Sequence, residues 1–365
     1  MKSTVKKIFK VIGIVVGVIL IALAAYIIYL YVSYHRIPDN QELTVETVSD
    51  EGKAADELTT GKKYSALTYN VGFGAYTPDF SFFMDGGKSS WAKSKESVKE
   101  TIKGAGELVA SRNPDFALLQ EVDLNSTRSY HVNEYSILKD CLSDYDTVFA
   151  QNYDSAFLFY PFTQPHGKSR SGLALFSRYP VTDSLRRSFP VSTSFSKFFD
   201  LDRCYSISRV PVDNGKELVI FELHMSAYGN SDAIREGQIR MLSEDMQKEY
   251  EAGNYVLCGG DFNHDLKASE DDSADKESWA YPFPREELPE HFAFCIDQLT
   301  AQEKNDLWDS ARNADMEYVP GVTYTVTLDG FIISDNIECV SYEDINTGYS
   351  YSDHDPVYLK FRLKK

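Results

Sequence analysis

Six short hydrophobic runs, far apart in the chain, are each bordered by an acid, an amide or a histidine. They are Thr68-Tyr69-Asn70, Leu119-Gln120-Glu121-Val122-Asp123, Glu222-Leu223-His224, Gly259-Gly260-Asp261-Phe262-Asn263, Leu328-Asp329-Gly330-Phe331 and Ser352-Asp353-His354-Asp355-Pro356. A short apolar run between turn residues reads as a buried strand. A polar group at its end sits where the sheet meets solvent, so a fold that aligns these ends gathers the polar groups in one place.

Helical stretches separate the runs. Tyr64 to Asn70 reads as a first strand, and Ser89 to Ser111 as a helix with Val98, Ile102, Ala105, Leu108 and Val109 on one face. Asn113-Pro114-Asp115 stops that helix and Phe116 to Gln120 is the next strand. Residues 172–177 and 217–224 repeat the strand signal, and Ser231 to Tyr250 is a second helix with Ile234, Met241, Leu242 and Met246 at its apolar positions. Val256–Gly260, Phe331–Ser334 and Val357–Leu363 follow as strands, the last alternating Val357, Leu359 and Phe361 with Tyr358, Lys360 and Arg362. Residues 265–294, charged and rich in Ser and Pro, read as a surface excursion. The alternation predicts an α/β or α+β sandwich.

The N-terminus adds a separate segment. Val11 to Val32 carries no charge, and as a helix it reaches roughly 33 Å, enough for a hydrocarbon core of about 30 Å. Lys2, Lys6, Lys7 and Lys10 precede it, while only His35 and Arg36 follow closely. Positive-inside asymmetry then predicts a single-pass anchor with residues 1–10 cytoplasmic, 11–32 in the cell membrane, and the remainder extracellular. Ala22-Leu23-Ala24 resembles a signal-peptide cleavage site, but the apolar run continues past it through Leu30. Residues 33–61 are polar and acidic and read as a tether, leaving 62–365 as the catalytic domain.

Composition narrows the partners. The net charge is −18, and the first 38 residues hold five basic and no acidic side chains, so the rest is more acidic still. That is the opposite of a nucleic-acid-binding footprint. Five widely spaced cysteines without a CxxC indicate neither a disulfide framework nor a zinc site.

The border residues suit phosphoester chemistry. Mg²⁺ takes oxygen ligands and keeps several waters, so one or two carboxylates suffice; Glu121, at the mouth of an apolar strand, is poorly placed for a merely solvated charge. Asn70 precedes the permissive Gly72 and Gly74. Asp261 and Asn263 follow a Gly-Gly pair and, two apart, point the same way in extended chain. Of seven histidines, His224 and His354 fall within the motifs and are the natural proton carriers.

In this order and spacing the motifs resemble the endonuclease/exonuclease/phosphatase superfamily over roughly residues 62–363. The resemblance implies a DNase I-like four-layer αββα sandwich and an Mg²⁺-dependent phosphoric ester hydrolase, with Mn²⁺ as a substitute. It also assigns roles: Glu121, Asn70 and Asp353 in the metal shell, and Asp261 aligning or activating water. Asn263 and His224 then face phosphoryl oxygens, and His354 is oriented by Asp329. Without a nucleophilic Ser or Cys motif or a P-loop, direct attack by water is expected.

Two departures bear on substrate. Leu223 stands where the family often has Thr, which removes a supporting hydrogen bond. Asp123 stands where DNA-cleaving members often place a base, which favours a phospholipid or small phosphoester over nucleic acid. Lys168 and Arg170 offer two further cations for substrate. Phe157, Phe159, Tyr160 and Phe162, with Phe195, Phe198 and Phe199, read as core; exposed, they would suit bases or lipid tails. An anchored nuclease shares every catalytic residue, and an inactive surface binding protein on the same fold is the alternative of another class. No obligate protein partner is indicated.

Overall fold

The computed structural model describes residues 2–48, 55–227, 232–268 and 280–365. The chain begins with helix α1 (Lys2–Ser33), strands β1 (Gln41–Glu42), β2 (Val45–Glu46) and β3 (Lys63–Asn70), helix α2 (Lys95–Arg112) and β4 (Phe116–Asp123). Helix α3 (Glu134–Cys141) leads to β5 (Asp146–Asp154), β6 (Arg170–Ser177), β7 (Asp183–Ser188), β8 (Cys204–Pro211) and β9 (Glu217–His224). Then come α4 (Asp232–Glu251), β10 (Tyr255–Asp261), β11 (Phe292–Phe294), α5 (Ala301–Asp306), β12 (Ala311–Arg312) and β13 (Thr325–Val326). Strands β14 (Asp329–Ser334), β15 (Ile337–Asp344) and β16 (Val357–Leu363) finish the chain.

Two seven-stranded sheets result, ordered β1-β7-β8-β9-β10-β14-β11 and β15-β16-β3-β4-β6-β5-β2. Period-two alternation decides the layers. Strand β4 sends Phe116 and Leu118 inward, where they pack with Ile220, Leu257 and Phe331 of the other sheet. Its Ala117 and Leu119 face outward onto Val98, Ile102, Ala105 and Val109 of α2 and Leu138 of α3. Helix α4 covers the first sheet through Ile239, Leu242 and Met246. The expected αββα sandwich is therefore present. Strands buried on both faces explain the unbroken apolar runs in the sequence.

Several local expectations shift. Helix α2 starts at Lys95, not Ser89, because Ser94 caps it by accepting a hydrogen bond from the Ser97 amide. It ends at Asn113, in the left-handed conformation. The second expected helix begins at Ser231, outside the described residues, but otherwise matches α4 with Ile239 as an added core position. Within the expected tether, β1 and β2 extend the edges of both sheets and Leu58 is fully buried. Two-residue strands carry no readable period, and positions 49–54 of that segment lie outside the described residues. The expected excursion is only partly one: Phe283 and Phe294 are core and β11 pairs with β14, while positions 269–279 lie outside the described residues.

Helix α1 runs unbroken through the uncharged segment, and an 18-residue stretch within Thr4–Ser33 has a mean hydropathy of 3.0. By length and composition it can cross a membrane, as a signal sequence also could.

Candidate active site

Strand pairing brings the motif residues together. Parallel pairing of β9 with β10 sets His224 beside Asp261, and antiparallel pairing of β10 with β14 sets Asp261 beside Asp329. In the second sheet, β3 and β4 run parallel to end near Asn70 and Gln120, and β16 begins opposite Thr68. Loop 352–356 thus arrives at the same edge, tied down where the Ser352 hydroxyl donates to the Asn70 carbonyl at 2.8 Å. Asp355 secures the loop from behind, accepting from the Trp308 indole at 2.8 Å and the Thr347 amide at 3.1 Å. Gly260 permits the approach to Asp261: its φ is +148° and a Cβ there would lie 2.1 Å from the Leu223 carbonyl oxygen.

Glu121 is placed differently from expectation. Strand β4 continues to Asp123, and Glu121 sits within it at a β-bulge, where the register with β6 shifts between Leu119 and Val122. Its φ is +57°, a conformation costing on the order of 1–3 kcal/mol for a non-glycine residue. The bulge takes Glu121 out of the ladder and into the cleft.

That cleft has a volume of about 640 Å³ and is lined by Asn70, Glu121, His224, Asp261, Asn263, Asp353 and His354. Asp261 lies at its centre. Its Oδ2 accepts from Asn70 Nδ2 at 3.1 Å and lies 3.4 Å from His224 Nε2 and 3.8 Å from His354 Nε2. Its Oδ1 accepts from the Asn263 amide at 2.9 Å, and Asn263 Nδ2 donates to the Met225 carbonyl at 2.9 Å. Asp329 stands behind the cleft, where its Oδ2 contacts His354 Nδ1 at 2.7 Å and accepts from the Ser310 hydroxyl at 2.7 Å. Ser310, which no sequence pattern marks, in turn accepts from the Asp329 and Leu328 amides at 3.0 Å.

Electrostatics separates the two histidines. Burial holds His224 well below the usual imidazole range, reinforced by Arg203. Its Nδ1 is buried without a hydrogen-bond partner among the described residues. Burial also opposes charge on His354, but Asp329 and Asp261 outweigh it and raise its pKa well above the ordinary value. Burial pushes the Asp261 carboxyl up to about 7, with His354 pulling the other way. One imidazole is neutral, one is held charged, and a carboxylate between them titrates near neutrality.

The sequence reading missed three buried cations that line the same cleft, Arg128, Arg203 and Arg312. Arg128 pairs with Asp123 at 2.9 and 3.2 Å and stacks 3.8 Å over the Phe73 ring. Asp123 therefore does not deprive the site of positive charge; it holds Arg128 there. Arg312 donates to the Tyr76 and Thr77 carbonyls at 3.1 Å. Arg203 differs, since its Nε and Nη1 are buried with no partner among the described residues. Buried donors of this kind are seldom left unpaired without a reason. Lys168 and Arg170, by contrast, are not among the residues that line the cleft; they lie 3.3 and 4.0 Å from Asp154.

Glu121 and Asp353 suit a hard divalent cation. Burial raises Asp353, with Glu121 adding to the effect, and among the described residues neither is bonded to a Lys or Arg. Asn70 stands beside them, its Nδ2 3.3 Å from Glu121 Oε1 and its own oxygen accepting from the Gly72 amide at 3.0 Å. Asp261, Asp329 and His354 also lie close enough to surround an ion, within 4.8 Å of one another. His354 Nδ1 is already engaged by Asp329 at 2.7 Å, however, so that trio reads better as a proton-handling relay.

The sandwich and the gathered acid, amide and imidazole groups define a hydrolase of phosphoesters. Residues 67–313 match the Endonuclease/Exonuclease/phosphatase family, and the chain belongs to it. It is 24% identical over 281 residues to an inositol phosphosphingolipids phospholipase C of Schizosaccharomyces pombe, covering 70% of this chain and 62% of that protein. The chain thus spans less than two thirds of that relative's length. Among solved structures, an endonuclease/exonuclease/phosphatase from Beutenbergia cavernae aligns with a TM-score of 0.57 at 16% identity, covering 83% of this chain and 72% of that one. TDP2 of D. rerio, complexed with single-strand DNA product, aligns with a TM-score of 0.53 at 16% identity, covering 83% of this chain and all of that one. These likenesses concern the fold.

Proposed function

We propose that the protein is a membrane-anchored, Mg²⁺-dependent phosphoesterase that cleaves a phosphodiester or phosphomonoester, favouring a phospholipid or small phosphoester, by direct attack of water. The observation that carries this reading is Asp261 Oδ2, a buried carboxylate oxygen between two imidazoles of opposite charge preference. The phosphosphingolipid named for the fission-yeast relative supports a lipid substrate. Helix α1 is the anchor in this reading, with residues 1–10 cytoplasmic and the domain outside.

Asp261 takes the proton of the attacking water. His354, kept charged by Asp329, donates to a phosphoryl oxygen, and neutral His224 gives a second hydrogen bond. Asn263, with one of its two amide hydrogens committed to Met225, retains the other for the phosphate. Arg203, which lines the cleft, takes a further oxygen. Glu121, Asp353 and Asn70 would hold the cation, which when bound would neutralise phosphate charge and stabilise the leaving oxygen.

The test is hydrolysis of bis(p-nitrophenyl) phosphate and of sphingomyelin by the full-length protein in detergent, with Mg²⁺ or with chelator. Turnover should vanish on chelation and return with Mg²⁺ or Mn²⁺; chelator-resistant turnover refutes the metal. Plasmid cleavage exceeding both would instead favour the nuclease reading.

Arg203→Ala should lower kcat/KM for either ester roughly 10- to 150-fold, the equivalent of about 1.5–3 kcal/mol for a charge-assisted hydrogen bond. Arg203→Lys should recover part of that loss. Unchanged kinetics in the alanine protein would remove Arg203 from the phosphate site.

A further inference from the structure

The two aromatic segments expected to be core are largely exposed. Phe159 is 50% exposed, Tyr160 63%, Phe162 84% and Phe195 50%, and only Phe198 is buried. A clustered exposed apolar patch marks an interaction surface.

Its neighbour is the apolar helix. The Tyr26 hydroxyl donates to the Phe157 carbonyl at 3.1 Å, and the Tyr29 hydroxyl accepts from the Phe157 amide at 2.9 Å. The Phe159 ring stands edge-on to Tyr26 at 5.0 Å, while Tyr31 and Tyr34 meet Phe198 at 4.8 and 5.2 Å. Both loops are therefore fixed to the last turns of α1. At 1.5 Å per residue, Tyr26 lies roughly 9 Å inside Val32, the end of the uncharged run. Groups bonded to Tyr26 and Tyr29 share their depth. If the run spans a bilayer, that depth lies in the outer part of the apolar layer, just beneath the headgroup boundary where aromatic side chains collect.

The same loops border the catalytic cleft. Ser196, Phe199 and Leu201 line one wall, and His166, at the end of the other loop, lines it as well. Tyr160 packs against Phe83 at 5.8 Å, and the neighbouring Met84 is a further lining residue. Whatever covers the aromatic patch therefore meets the mouth of the site.

We infer that loops 157–162 and 195–199 enter the membrane leaflet on the catalytic side and hold the cleft mouth against it, so that the site takes phosphodiester headgroups of lipids still in the bilayer. This rests on the anchored phosphoesterase reading and adds to it the docking surface and the physical state of the substrate. A nucleic acid stacked on these rings would have to lie at the depth of Tyr26, in the apolar layer, which its charge forbids.

Two measurements on full-length protein in phosphatidylcholine vesicles carrying sphingomyelin test this. The Phe159→Ser/Phe162→Ser protein should lose at least about tenfold in lipid hydrolysis, since it no longer buries two apolar rings in the leaflet. The same vesicles should hydrolyse bis(p-nitrophenyl) phosphate within about twofold of wild type, because neither ring lines the cleft. Lipid hydrolysis equal to wild type overturns the inference. Independently of catalysis, tryptophan fluorescence of the Phe162→Trp protein should exceed wild type by an increment that shallow brominated phosphatidylcholine quenches. An unquenched increment overturns the inference even if the enzyme is active. Quenching with no hydrolysis of either ester retains the docking surface and overturns the phosphoesterase reading instead.

Discussion

Replacing His354 with alanine is expected to lower kcat for a soluble phosphodiester by about 10²- to 10⁴-fold, or about 3–5 kcal/mol of barrier. The size follows from its surroundings. His354 Nδ1 is engaged at 2.7 Å by Asp329, a buried carboxylate that fixes the ring and supports its charged form. Its other nitrogen faces the cleft near Asp261. Neither of the other imidazoles lining the cleft replaces it, because burial holds His224 well below the usual range and His166 down to about 4.

A pH profile separates this role from a structural one. The working state needs Asp261 ionised and His354 protonated. In wild type, kcat/KM should rise with pH as Asp261 ionises near its value of about 7. It should fall again once His354 loses its proton, above the ordinary imidazole range. Bound Mg²⁺ draws both limbs to lower pH without changing their order. His354 is one of the groups that lowers the Asp261 pKa. Its removal should therefore move the acid limb to higher pH as well as reduce the maximum. An acid limb that stays in place, or moves down, would contradict the electrostatic pairing of these two residues.

The residues legible in the sequence share one physical trait. Asn70, His224 and Asp261 each close a strand buried on both faces, so an apolar run followed by a polar group marks them. Asp329 opens another such strand, and His354 stands just before β16, whose alternation of buried and outward residues marks it instead. Arg203 and Arg312 were not legible, because a lone arginine reads as surface charge until tertiary structure buries it. Arg128 was missed because its partner Asp123 was taken as a substrate determinant rather than as a counterion. Lys168 and Arg170 show the reverse case: their local basic composition suggests a phosphate site, while the fold sets both beside Asp154 rather than in the cleft lining. The aromatic loops were misread because burial was judged from residue type, and the partner that keeps them at the surface, α1, lies more than a hundred residues away.

Asp261→Asn should separate catalysis from folding most cleanly. Turnover is expected to fall by about 10²- to 10⁴-fold, since the amide cannot accept the proton of the attacking water. Stability should not fall with it. The Asp261 carboxyl is raised by burial from 3.8 to about 7 in the folded chain. Between these values the unfolded chain has released a proton that the folded chain retains, so stability declines as pH rises through this window. The full penalty of the buried charge stands above about pH 7, where the enzyme must work. Asparagine keeps an oxygen for the Asn263 amide and carries no charge to bury. Its Tm at about pH 8 should therefore equal or exceed that of wild type, and the two proteins should converge at about pH 4. Thermal unfolding followed by circular dichroism, beside the kinetic assay, decides it. A variant several degrees less stable at about pH 8 would make Asp261 part of the scaffold, and one with wild-type turnover would dismiss it as the base. A carboxylate that costs stability where it is ionised is difficult to explain by folding alone.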